Sequence, residues 1–532
     1  MGSCLATERF YLKLAADGAR RENFGEDSKY EYDGECGGNV VFPLRPCGGG
    51  AAMRKLFVKS GVLLFCTAVL ATGMSSLPGD EAAKVDAYVR GEMQKERIPG
   101  LALGVYRDGT ILKAEGYGIA NLEWDVPVKP DTIFQSGSVG KQFAATAVMM
   151  LVEEGKVGLD DPVQKYFSDA PDAWKGIKIR NLLSHTSGLS EYENGPRTKP
   201  DGPFYLRLDM SEDELYKRIT AMPLDFQPGE DWSYRNTNYV LLGILIHKVT
   251  GKFYGDYLQE RIFKPLGMTT TRIISDADII PHRAAGYELV QGQLKNQEWV
   301  SPTFNSTADG TLYFTVLDLE KWDAALYSEK LLKRSSLEQM WTVMKLNNGQ
   351  PNKANYGFAW DIKQINGHKV MEHGGAWQGF TCHIARYVDD QLTVVVLTNL
   401  DAGHAQPNKI ARTVAGLYVP ELMPVEAKPI EDKEPQVTRL VRSVLQEFGD
   451  EKADPERFTL ELRAKLFPEQ AQGISDYLKE QGPLKSLELI KRGEEEDKRS
   501  YKYRASYGLM SLFLSIQLTK DNKIAVLDFS DE

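Results

Sequence analysis

The chain has 532 residues, a net charge of -10 and a pI of about 5.5. Hydrophobic residues make up 42% and charged residues 26%, an ordinary globular balance with room for roughly two to four domains. The acidic balance and the lack of a basic stripe exclude nucleic-acid binding as the main task.

Residues 1–52 mix glycine runs, scattered charges and three of the five cysteines, with no sustained helical or strand period. They read as a disordered upstream over-extension, with translation starting at Met53. From there Met53-Arg54-Lys55 precedes the apolar run Gly61–Ala71 and small residues around Gly73. A basic start, a short apolar stretch and small residues make residues 53–75 a secretory signal peptide. The run is short for a spanning helix, which favours cleavage, and bulky Phe65 before Cys66 disfavours lipid attachment. Beyond it only Cys382 remains, so no disulfide is possible. Export without disulfides fits a bacterial periplasmic or secreted protein with a large core. No later segment has the length and apolarity to span a membrane.

From about 80 to 418 the chain reads as one body. Asp80 to Glu96 has an amphipathic helical pattern. Two apolar runs, Leu101–Tyr106 and Ile111–Ala114, flank Arg107-Asp108-Gly109-Thr110, a hairpin signal. Next comes Ser138-Val139-Gly140-Lys141. A serine followed three residues later by a lysine shares one helical face with it. The serine would sit at the first turn, where free N–H groups and the helix dipole favour negative charge. The lysine amine could take its proton, which a neutral serine nucleophile needs. The helix that follows is apolar nearly all round until Glu153, so it is expected to be buried.

Tyr234 and Asn236 fall after the Pro228-Gly229 turn and before an apolar helix at 238–248, on a loop where functional side chains often sit. Either asparagine there, 236 or 238, could instead cap the helix. Strands return at 368–371, 381–386 and 392–399. His373-Gly374-Gly375-Ala376 follows the first of these, and its glycines would let another backbone come close. Taken alone, the segment reads better as a hairpin turn with a satisfied histidine. Strands at both ends with helices between predict one mixed sheet with a helical insert.

No phosphate loop is present, since Lys141 is followed by Gln142 and no glycine stands at 135. The few histidines make no zinc pattern, so neither metal nor cofactor is expected. Residues 419–436 are rich in Pro, Glu and Lys and read as a linker. Beyond them, residues 437–532 show three helical patterns and four strand-like runs, a small α+β accessory domain.

In this order, Ser138-x-x-Lys141, Tyr234-x-Asn236 and His373-x-Gly375 resemble the serine hydrolases of the class C β-lactamase and penicillin-binding-protein-like family, in its DD-peptidase-like and esterase-like branch. Connecting runs match too, among them Leu182–Leu189 and Phe226–Gly243, the latter with Arg235 where Ser is usual. The resemblance covers about 80–418. The C-terminal part only loosely looks like a nuclear-transport-factor-type domain.

The resemblance implies an α/β (α+β) fold with a mixed sheet flanked by helices and a helical subdomain. It implies Ser138 as the nucleophile that forms an acyl-enzyme, with Lys141 and Tyr234 sharing base duty. Asn236 would hold Lys141 and a substrate carbonyl. His373, Gly375 and Ala376 would line the substrate and oxyanion side, with the N–H groups of Ser138 and Ala376 as oxyanion donors. The substrate would be a small molecule or peptide, an ester or a D-amino-acid peptide. The alternatives are a β-lactamase and a penicillin-binding sensor that acylates without turnover. His373 stands where β-lactamases of this class carry lysine, and a mostly neutral imidazole grips a carboxylate less well. Arg235 adds a cation that could favour anionic or peptide carboxylate substrates.

Overall fold

The computed structural model describes residues 78–193, 205–424, 427–495, 498–508 and 511–530. The over-extension expected at 1–52 and the leader expected at 53–75 lie outside the described residues. Helix α1 (Pro78–Glu96) leads into strands β1 (Gly100–Arg107), β2 (Thr110–Asn121) and the short β3 (Val126–Pro127). A helical part follows, with α2 (Lys141–Glu153), α3 (Asn236–Thr250) and α4 (Val316–Leu326) as its main helices. Strands β4 (Asp361–Ile365), β5 (His368–Trp377), β6 (Phe380–Tyr387) and β7 (Leu392–Thr398) then precede α5 (Pro407–Tyr418).

These strands form one seven-stranded sheet in the order β3-β2-β1-β7-β6-β5-β4. The helix-flanked sheet with a helical insert is the architecture expected from the sequence. Strand direction is not: every pairing in this sheet is antiparallel rather than mixed. Hairpins join β1 to β2 and β4 through β7, and the last strand closes on the first. None of these connections needs the helical crossover that a parallel pair requires. The first hairpin turns on Asp108 and Gly109, both at positive φ (53° and 70°), as a type I′ turn demands.

Both faces of the central strands β1, β6 and β7 are buried, and the side-chain alternation sorts two cores. Leu101, Leu103, Val105, Val394 and Val396 pack against Val85, Val89 and Met93 of α1 and Ile410 and Val414 of α5. Ala102, Tyr106, Val395 and Leu397 belong to the other core, with Phe143, Leu242 and Trp322 of the helical part. Each fully buried Val or Leu contributes about 1.5–3 kcal/mol relative to exposure. Every residue of α2 from Lys141 to Leu151 is buried, as is every residue of α3 from Asn236 to Ile246. Their all-round apolar character has this reason: they are the central helices of the domain. Among the described residues no helix is long and apolar enough to cross a membrane.

The chain from 435 onward has its own core. Helices α6 (Pro435–Gly449), α7 (Leu460–Leu466) and α8 (Glu469–Glu480) precede a meander of β8 (Ser486–Glu495), β9 (Lys498–Ser506), β10 (Ser511–Leu518) and β11 (Ile524–Ser530). Tyr501, Tyr503 and Ala505 alternate with half-buried residues along β9, and Leu512, Leu514 and Ile516 do so along β10. These pack with Val441, Leu445 and Phe448 of α6. Between the domains, Leu422 is still buried in the first core. Ile430 N–H already donates to Leu489 O at 2.8 Å in the second domain.

Candidate active site

Ser138 lies on the 3-10 turn Gly137–Gly140, which runs directly into α2. The sequence places it in the first helical turn, and the structure puts it one turn earlier. Gly137 holds φ +44°, which side chains rarely adopt. Three glycine backbones crowd this turn. A Cβ on Gly137 would fall 2.2 Å from Ala376 N, one on Gly375 2.3 Å from Ser136 O, and one on Gly310 2.5 Å from the Gly137 carbonyl. Only hydrogen at these positions lets β5 and residues 309–311 close on Ser138. Ser136 fastens the arrangement. Its Oγ donates to Gly310 O at 3.0 Å and accepts from Leu312 N–H at 3.1 Å. Cys382 Sγ lies 2.8 Å from Ser136 O.

Lys141 is fully buried at the first position of α2. Its Nζ bonds Ser138 Oγ at 3.0 Å, Asn236 Oδ1 at 2.7 Å and the Asp309 carbonyl. Burial pushes its ammonium down to about 8, with the Asp309 and Glu191 charges opposing. A neutral amine has two N–H donors and one lone pair. With Asn236 and Asp309 taking the donors, the lone pair faces Ser138 Oγ. Nζ also lies over the Tyr234 ring, 4.9 Å from its centre.

Asn236 is positioned by its helix start. Its backbone N–H donates to Glu191 Oε2 at 2.7 Å, an acidic partner where the dipole of α3 favours one. Thr237 Oγ1 ties the same loop by donating to Ser190 O and accepting from Tyr192 N–H, both at 2.7 Å. Tyr234 is held by His185. The residues on either side of Tyr234 both bond it: Ser233 N–H to His185 O at 3.0 Å and Arg235 N–H to His185 Nδ1 at 3.2 Å. The imidazole packs on the Tyr234 ring at 4.2 Å between centres. Burial and the Lys141 charge hold His185 well below the usual histidine range, so it is neutral.

Two sequence expectations change. β5 does not stop at Met371 but runs on to Trp377, because Gly375 and Ala376 pair with Cys382 and Thr381 of β6. His373 therefore sits within a strand, 4% exposed. It pairs through one ring nitrogen with Tyr356 Oη at 2.9 Å and through the other with Gly374 O at 2.6 Å. Burial pushes its imidazolium down to about 3. Neutral and engaged at both nitrogens, it carries no charge with which to grip a substrate carboxylate. Arg235 departs as well. Its guanidinium grips Asp225 through Nε at 3.1 Å and Nη2 at 2.9 Å, so its charge is matched within the fold.

The cleft beside Ser138 is lined by Gly137, Asn236, Asp309, Gly310, Thr311, Ala376 and Trp377. Of these, Asp309, Gly310, Thr311 and Trp377 were not singled out in the sequence, nor were Glu191 and His185. His185 lies inside the Leu182–Leu189 run noted there, so that run carried the signal. Asp309 and Gly310 offered only an acid beside a glycine.

The Beta-lactamase family model matches residues 85–417. Penicillin-binding protein 4* of Bacillus subtilis is 29% identical over 399 residues, spanning 68% of this chain and 86% of its own length. Among solved structures, a D-stereospecific amidohydrolase from Streptomyces sp. is 27% identical with a TM-score of 0.53, covering 62% of this chain and 97% of its own. The octameric penicillin-binding protein homologue from Pyrococcus abyssi is 23% identical with a TM-score of 0.57, covering 83% of this chain and 94% of its own. That coverage exceeds what residues 78–424 alone could supply, so the likeness of fold extends beyond them. With its Ser138–Lys141 pair at the head of a buried helix, closed in by glycine backbone, the chain belongs to the β-lactamase family of serine hydrolases.

Proposed function

We propose that the chain is an exported hydrolase that works through an acyl-enzyme on Ser138 and acts on an ester or amide of a D-amino acid. The observation that carries this reading is the bonding of Lys141. Its two fixed acceptors leave the neutral amine one direction in which to accept a proton, toward Ser138 Oγ 3.0 Å away. In the reaction, Ser138 Oγ bonds to the substrate carbonyl carbon and its proton passes to Lys141. The carbonyl oxygen takes the negative charge against the N–H groups of Ser138 and Ala376, a contribution of roughly 3 kcal/mol per donor. The proton returns through Lys141 and Tyr234 to the leaving nitrogen or oxygen as its bond to carbon breaks. Water then attacks the ester and restores Ser138. Positive His185 would repel Lys141, so its neutral state suits this step.

The substrate class is supported by a neighbour named as a D-stereospecific amidohydrolase. It is also supported by His373, which stands where β-lactamases of this class carry lysine and is buried with its imidazolium pushed down to about 3, so it offers a β-lactam carboxylate no charge; weak β-lactam turnover is expected. Export rests on the leader starting at Met53.

Because Lys141 must be neutral to act as base, kcat/KM should rise with pH and level off above an apparent pKa near 8. An unshifted lysine would place that rise near 10.4. A flat kcat/KM between pH 6 and 9 would show that Lys141 does not take the proton. The reading itself is tested by intact-protein mass spectrometry with a fluorophosphonate. A single adduct on the wild-type chain, lost in Ser138→Ala, is expected; labelling that survives the substitution sinks the assignment.

A further inference from the structure

The segment Leu183–Leu189 is bonded along the whole length of the Tyr234 loop. Asp225 N–H donates to Gly188 O and Gly229 N–H to Thr186 O, both at 2.8 Å. Tyr239 Oη donates to Leu183 O at 2.9 Å, and Ser187 Oγ to Asn238 Oδ1 at 2.6 Å. His185 stands in the middle of this seam and is fully buried. Its Nδ1 faces two N–H donors, the Arg235 backbone and Asn238 Nδ2, each at 3.2 Å. Nδ1 therefore offers its lone pair, and the proton of the neutral ring sits on Nε2. The backbone of His185 holds φ +59°, a left-handed conformation that costs energy for any residue with a side chain. Such a cost persists only where the surroundings impose it, and here the surroundings are the residues that flank Tyr234.

We propose that His185 is a positioning residue for leaving-group protonation: its Nδ1, bonded to the Arg235 N–H, sets where Tyr234 stands beside Lys141. The proposal rests on the acyl-enzyme reading given above, in which the proton taken from Ser138 returns through Lys141 and Tyr234. Lys141 Nζ lies 4.9 Å from the centre of the Tyr234 ring, and the His185 ring packs on the same ring at 4.2 Å. The Arg235 N–H is one residue from Tyr234, so losing its acceptor frees the phenol to shift. A shift of about 1 Å is enough to slow a proton transfer on the order of 10²-fold. Only a leaving group that needs the proton registers the loss. When the tetrahedral intermediate collapses, the bond from carbon to the leaving oxygen breaks and its electron pair goes to that oxygen. A nitrophenolate carries the charge unaided. An alkoxide must take the Tyr234 proton as it departs, and the Lys141 ammonium then reprotonates Tyr234.

The test measures kcat/KM, which reports the steps through acylation, for p-nitrophenyl acetate and ethyl acetate on the full chain. His185→Phe keeps a ring without an acceptor, and His185→Gln carries its oxygen one bond too far. His185→Asn puts an oxygen where Nδ1 stands and tolerates the left-handed backbone. The first two should stay within about threefold of wild type on the nitrophenyl ester and lose about 10²-fold on ethyl acetate. His185→Asn should bring the ratio of the two rates back close to wild type. Equal losses on both esters would mean a purely structural role and overturn the proposal. So would an unchanged ratio in His185→Phe and His185→Gln, or a ratio in His185→Asn as low as in those two. Folding is judged by fluorophosphonate labelling at Ser138. If His185→Phe takes no label, His185→Gln decides; if neither does, His185 serves the fold alone and the proposal falls. A wild type that turns over the nitrophenyl ester but not ethyl acetate removes the relay through Tyr234, and the proposal with it, while leaving Ser138 as the nucleophile. No label and no turnover in the wild type is failure of the hydrolase reading.

Discussion

Ser138→Ala is expected to lower nitrophenyl ester turnover by about 10⁴-fold or more while leaving thermal unfolding nearly unchanged. The size follows from losing the only atom that forms the acyl bond. The unchanged stability follows from what remains. Lys141 keeps its bonds to Asn236 Oδ1 and the Asp309 carbonyl, and the glycine-packed turn keeps its backbone contacts. Lys141→Ala is a poorer probe, because it strips a buried donor from two acceptors at about 1–3 kcal/mol each and confuses folding with chemistry. The measurement is the steady-state rate beside a melting curve for the same preparation. Turnover within tenfold of wild type would mean that another group is the nucleophile.

Asp323→Ala should destabilise the hydrolase domain by about 3–5 kcal/mol. Asp323 on α4 accepts from Arg386 Nε on β6 at 2.6 Å and from Thr393 Oγ1 at 2.9 Å. The pair is sealed, with the two side chains 0% and 2% exposed. The Arg386 guanidinium lies over Tyr327 at 4.5 Å and near the rings of Trp341 and Trp360. Removing the carboxylate strands a permanent cation among aromatic rings, where water cannot reach it. The double variant Asp323→Ala with Arg386→Met should lose clearly less, since the penalty belongs to the orphaned charge. Urea unfolding followed by tryptophan fluorescence measures both. A single-variant loss below about 1 kcal/mol would show that solvent enters the site.

Much of this could be read locally. Asp108-Gly109 specifies its hairpin turn, because both residues tolerate positive φ. The unbroken apolar runs after Lys141 and after Asn236 announce buried helices, and helices α2 and α3 start within a few residues of the Ser–Lys and Tyr–Asn motifs. The three motifs sit in chain order on elements whose periodicity is visible. His373 was harder. Two glycines after a strand read as a turn, and only pairing with β6 shows that the strand continues through them. Arg235 was misleading for a related reason, because a cation beside Tyr234 means little until Asp225, ten residues away, is seen to neutralise it.

Local spacing thus placed Ser138 and Lys141 one turn apart, and the structure brings Lys141 Nζ to 3.0 Å from Ser138 Oγ. The depressed lysine and the triple glycine approach belong to the tertiary structure. Asn236 lies 95 residues from Lys141 and Asp309 lies 168 away. Contacts over such separations leave no periodic trace in a sequence. They arise because the packing of the sheet against the two buried helices carries the distant residues to Ser138.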